Sequence, residues 1–137
     1  MNLYFRCSIL LLSFISAFVI VSCSDNQKYY DVVNKNITAM ETEDINLLVS
    51  TLDVHNPQYS SAKLLYTKSF EEFDYDYTIE EINVIEEKSD LVKLEAIIST
   101  KRIKKNDIRT NKYKVDYTLV ENSDVWKILK TEIKADI

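Results

Sequence analysis

From Tyr75 onward the apolar positions of this chain alternate with polar ones. Val92, Leu94, Ala96 and Ile98 are spaced by Lys93, Glu95 and Ile97, and Tyr113, Val115, Tyr117 and Leu119 by Lys114, Asp116 and Thr118. A period of two sends one set of side chains to a core and the other to water, which predicts antiparallel strands. Four follow one another: Tyr75 to Glu86, Leu91 to Lys104, Lys112 to Glu121, and a last one from Val125. Ile79, Ile82 and Val84 do not share one parity, so the first strand needs a bulge near Glu80 to keep its apolar side chains together. Lys88-Ser89-Asp90, Asn106-Asp107 and Asn122-Ser123-Asp124 are the turns between strands.

Ahead of the strands the spacing becomes helical. Tyr29, Val33, Ile37 and Met40 form one apolar stripe, and after a polar break Ile45, Leu48 and Leu52 form a second, capped by Asp44 or Thr42. Asn56-Pro57 suits a cap and first position of a third helix, whose aromatic face is Ala62, Leu65, Tyr66, Phe70 and Phe73. The predicted class is therefore α+β: N-terminal helices packed on a curved four-stranded antiparallel meander.

The first 23 positions follow a different rule. Arg6 precedes an apolar run from Ile9 to Val21, interrupted only by Ser13 and Ser16, which is the layout of a secretory signal and shorter than a membrane-spanning helix needs. It ends in Ile20-Val21-Ser22-Cys23, which resembles the lipobox of bacterial lipoproteins. That resemblance implies cleavage before Cys23, acylation of its thiol, and a division into signal peptide 1–22, tether 23–28 and domain 29–137. It also implies a bacterial cell-envelope location. Ser24 in second place looks like sorting to the outer membrane rather than the inner one. Several acyl chains would make attachment effectively permanent. Cys7 would leave with the signal, so the fold would have to stand without an internal disulfide.

Composition then removes most enzymology. The chain has no glycine, which excludes phosphate-cradling loops, dinucleotide fingerprints and the nucleophile elbow. His55 is the sole histidine, so zinc sites of several His and Cys ligands cannot be assembled. With no glycine, Asn and Asp are expected to supply the left-handed turn residues. A formal charge of −5 gives no sign of nucleic-acid binding. No cofactor or metal is expected; Asp74 and Asp76 alone are too few ligands for calcium.

Three features together resemble the nuclear transport factor 2-like superfamily: the helix break Glu43-Asp44-Ile45, the run Phe70-Glu71-Glu72-Phe73-Asp74 entering Tyr77-Thr78-Ile79, and a closing strand opening with Trp126-Lys127-Ile128. The resemblance implies helices wrapped over a bent sheet around a cone-shaped pocket. Some members catalyse isomerisation, dehydration or hydrolysis there, and others only bind or dimerise, so fold does not choose the function. The short lead-in before Tyr75 argues against a deep cavity.

The candidate chemistry is sparse. Asp53 and His55 are the only acid-base pair in view, and a surface loop is their plainer reading. Tyr66, Phe70, Tyr113, Tyr117 and Trp126 are candidates to line a pocket, with core packing as the alternative. Lys101, Arg102, Lys104, Lys105 and Arg109 crowd one hairpin while acidic residues crowd the first strand, so an electrically lopsided molecule is expected. The resulting expectation is a lipid-anchored envelope protein with a small ligand- or protein-binding domain and no catalysis. A homodimer through the sheet or an envelope protein partner is possible. The alternatives are an enzyme acting on a small apolar substrate and a structural accessory docking through the basic hairpin.

Overall fold

The computed structural model describes residues 26–137; the signal segment, Cys7 and Cys23 lie outside the described residues. Three helices, α1 (Gln27–Glu41), α2 (Ile45–Thr51) and α3 (Tyr59–Glu72), precede four strands, β1 (Asp74–Glu87), β2 (Leu91–Lys104), β3 (Asp107–Asn122) and β4 (Val125–Asp136). The strands pair in chain order as one antiparallel meander. Among the described residues no helix is long and apolar enough to cross a membrane.

The β1–β2 register skips Glu80, between Ile79 and Glu81, where the broken parity required a bulge. A second shift in β1 and two between β3 and β4 bend the sheet further, so that it can curl around what the helices leave open. The β2–β3 hairpin is longer than the alternation suggested. Lys104 pairs with Asp107, leaving Lys105-Asn106 as the turn instead of Asn106-Asp107. This arm projects beyond the core, with both faces near water, and so carries little hydrophobic period.

Left-handed backbone falls on Glu43, Lys105, Ser123 and Asp124. Only Asp124 belongs to the residue types expected there, because hairpin and helix-end geometry, not side-chain preference, decides where φ must be positive. At Glu43 the reason is visible. The Asp44 N–H reaches back to the Ala39 carbonyl (2.9 Å) and closes α1 with a left-handed residue at Glu43, while the Asp44 carboxylate accepts from the Leu47 N–H (2.9 Å) to start α2. Glu43→Gly is expected to raise stability by about 1 kcal/mol by removing that Cβ penalty. A urea midpoint no higher than wild type would show that Glu43 bears no strain.

The core joins α1 and α2 to β2, β3 and β4 through Tyr29, Val33, Leu48, Val92, Leu94, Leu119 and Ile128. Of α3 only Ala62 is buried. Leu65, expected on its aromatic face, points to solvent with Leu64, because Tyr66 and Phe70 take the inward positions of a helix covering one end of the sheet. Helix α3 also begins two residues later than Asn56-Pro57 suggested. Asn56 caps the turn before it, its side chain accepting from the Gln58 N–H (2.8 Å).

Candidate functional site

A cavity of about 640 Å³ opens between the helices and the inner face of the sheet, so the short lead-in before Tyr75 does not leave the cone filled. The β2–β3 register builds it in layers. Leu94 pairs with Tyr117, Ala96 with Val115, Ile98 with Tyr113, Thr100 with Asn111 and Arg102 with Arg109, and all ten side chains share one face. Strand β1 adds Tyr77 beside Thr100 and Tyr75 beside Arg102; α1 adds Asn36, Ile37 and Met40, and α3 adds Tyr66, Ser69 and Phe70. The walls mix apolar side chains with hydroxyl and amide groups, and two guanidiniums stand at the mouth.

The hydroxyls are held in place. Asn111 Nδ2 donates to the Tyr113 hydroxyl (2.8 Å), the Ser69 and Tyr75 hydroxyls lie 2.9 Å apart, and Tyr75 stacks on Tyr77 with ring centroids 5.8 Å apart. Burial pushes the phenols of Tyr66, Tyr77 and Tyr117 above their ordinary range, with the neighbouring Tyr75 adding to the effect at Tyr77. They stay protonated and act as hydrogen-bond donors or acceptors. Among the described residues lining the cavity there is no carboxylate and no imidazole. Acid-base work by a carboxylate or an imidazole therefore has no group among these described residues, and the hydroxyl groups of the lining are phenols, Ser69, Thr100 and Thr131.

Of the five aromatic residues proposed as a lining, the structure brings Tyr66, Phe70, Tyr113 and Tyr117 together around this cavity. Trp126 is elsewhere: it is buried edge-on against Tyr29 (centroids 4.9 Å), with Lys28 above, at the closed end of the core. Tyr75, Tyr77, Thr100, Arg102, Arg109 and Asn111 were not proposed as lining. Their signal was the same period of two, extended past Ile98 on β2 and back from Tyr113 on β3.

Asp53 is buried at 3% exposure and not on the surface, whereas His55 is open to solvent. The Asp53 carboxylate accepts from the His55 N–H (2.8 Å) and meets its Nδ1 at 2.9 Å. The Asp53 N–H and Asn56 Nδ2 both donate to the Ile128 carbonyl, each at 3.0 Å, so this loop is stitched to β4. Asp53 lines a separate cavity of about 310 Å³ with Val49, Tyr59 and Lys127, and neither Asp53 nor His55 reaches the larger one.

The backbone N–H of His55, helped by its ring and by Asn122, holds the Asp53 carboxyl below the usual carboxylate range against the opposing effect of burial. With the folded value below the unfolded one, ionised Asp53 contributes stability that is fully present above about pH 4 and is lost as pH falls through the folded value. The stability advantage of wild type over Asp53→Asn should therefore be flat from about pH 5 to 7 and shrink toward pH 2. Urea titrations at those pH values measure it; an advantage that grows on acidification would reverse the assignment.

The basic hairpin is not one patch. Antiparallel pairing lays acidic β1 against basic β2, so Lys101 faces Asp76 (3.9 Å) on the outer side, and Lys104 pairs with Glu72 (2.5 Å) across to α3. The lopsided field expected from sequence is largely neutralised by this register. Lys105 sits at the turn, and Arg102 and Arg109 face the cavity. Among the described residues no group of three or more His, Cys, Asp or Glu could hold a metal ion.

Solved structures share this architecture at low identity. A candidate aromatic ring hydroxylase from Novosphingobium aromaticivorans superposes with a TM-score of 0.73 at 11% identity, over 82% of this chain and 93% of that one. A ketosteroid isomerase-like protein from Erwinia carotovora atroseptica gives 0.65 at 15% identity, over 82% and 98%. The beta subunit of the benzoate 1,2-dioxygenase from Burkholderia mallei gives 0.64 at 8% identity, over 80% and 89%. These likenesses show the fold, which is nuclear transport factor 2-like. No curated protein matches the sequence. The family model described as the anti-sigma-I factor RsgI9, C-terminal domain, matches residues 31–135.

Proposed function

The chain belongs to the family of the anti-sigma-I factor RsgI9 C-terminal domain, and from that premise we propose that it is a lipid-anchored cell-envelope protein whose cone binds a small, largely apolar ligand without transforming it. The lining carries this reading: apolar side chains and protonated phenols offer burial and hydrogen bonds, while no carboxylate or imidazole is among its described residues. The family is described from the C-terminal domain of an anti-sigma factor, which agrees with a binding role.

The neutral fluorophore N-phenyl-1-naphthylamine tests the reading. Saturable binding of one probe per chain is expected, and no binding to the folded domain would end it. Turnover by Asp53 and His55 in the cone is disfavoured by their position outside the cavity. Docking through the basic hairpin is disfavoured by the ion pairs of Lys101 and Lys104. A second copy docking on the outer sheet face would meet cross-strand ion pairs such as Lys114 with Glu95 (2.8 Å) and Lys112 with Glu80, so such a contact would be polar.

Anchoring rests on Cys23. Helix α1 begins at Gln27, so an acylated Cys23 would hold the domain within about 15 Å of the bilayer. Cys23→Ser is expected to move the protein from the membrane fraction to the soluble one, and mass spectrometry of the wild-type N-terminus should find acyl chains. A serine variant that pellets as completely as wild type would remove the anchor.

A further inference from the structure

We infer that the mouth of the cone is an anion site, so that the ligand is a small amphiphilic acid with its head at Arg102 and Arg109 and its apolar body among the tyrosines. The inference rests on the binding role proposed above and names the class of ligand. Arg102 and Arg109 are direct cross-strand partners on the cavity face. Like charges placed opposite one another in a sheet repel, and among the described residues no carboxylate lines the cavity to separate them. The carboxylates nearby are committed elsewhere or line the adjoining open cleft: Asp76 meets Lys101, Glu72 meets Lys104, and Asp74 lines that cleft.

Asp107 reaches Arg109 Nε at 3.2 Å, but both side chains are more than half exposed, and such a pair contributes little. It also leaves the terminal nitrogens of Arg109 free to meet a ligand. Arg102 lies over the Phe73 ring, 4.5 Å from its centroid, and it makes no ion pair among the described residues. One layer in, Thr100, Asn111 and Tyr77 offer neutral hydrogen bonds, and below them Ile98, Tyr113, Val115 and Tyr117 are fit for an apolar body. Charge at the mouth and apolar surface beneath describe a carboxylate or sulfonate on a single chain or fused rings. A volume of about 640 Å³ suits one such molecule.

Two fluorophores that differ by one sulfonate test this: 1-anilinonaphthalene-8-sulfonate and the neutral N-phenyl-1-naphthylamine. The full-length protein is expected to bind the sulfonate more tightly. The Arg102→Gln/Arg109→Gln double variant should weaken the sulfonate about ten- to hundredfold and change the neutral probe less than twofold. Circular dichroism and Tm report whether each variant is folded, and either single substitution serves if the double one is not. Equal affinity of wild type for the two probes, or sulfonate affinity unchanged in the folded variants, overturns the anion site and leaves the cavity reading standing. If wild type binds neither probe, both fall.

Discussion

Trp126→Ala is expected to cost about 3–5 kcal/mol, the range for emptying a buried tryptophan site. A domain of this size has about 5–15 kcal/mol in total, so the variant should lose much of its urea midpoint. The indole is buried, packed edge-on to Tyr29, whose hydroxyl in turn donates to Glu87 (2.6 Å), and the loss would loosen α1 from the sheet. Because Trp126 does not line the large cavity, the affinity of the remaining folded molecules for N-phenyl-1-naphthylamine should match wild type. A stable variant with weakened probe binding would put the indole at the ligand instead.

Thr100→Phe should do the opposite. Thr100 stands between Tyr77 and Asn111 in a row across the sheet, facing the cavity one layer inside the arginines. A phenyl group there occupies the path of the ligand, and aromatic residues suit strands. Probe affinity is expected to fall about hundredfold, equivalent to about 2.7 kcal/mol. Stability should hold or rise, since the added ring fills space and displaces no packed side chain. Retained affinity would mean that the probe binds outside the cone.

Much of the fold was legible because the strands obey a single rule. Alternation placed β2 at its observed ends, and a parity conflict among Ile79, Ile82 and Val84 located the bulge at Glu80. The cap of α2 was readable to one of two residues, Asp44 or Thr42, because a short acceptor side chain before an apolar stripe meets the free N–H groups of a helix start, and the structure selects Asp44. The site was legible only in part. Tyr66, Phe70, Tyr113 and Tyr117 were singled out as aromatic, but the same argument selected Trp126, since a period tells which side of an element faces inward and not whether the interior there is filled.

Asp53 shows the same limit from the other side. Its polar loop reads as surface, yet the Ile128 carbonyl draws that loop onto β4 and buries the carboxylate. By itself the sequence determined the order of helices and strands, the inward faces and the bulge in β1, all of which depend on neighbours within a few residues. Only the tertiary structure decided that acidic β1 neutralises much of basic β2, that Arg102 meets Arg109 at a mouth, and that space remains beneath them. Those outcomes depend on strand register and on how closely the helices approach the sheet, which are set by contacts between residues far apart in the chain.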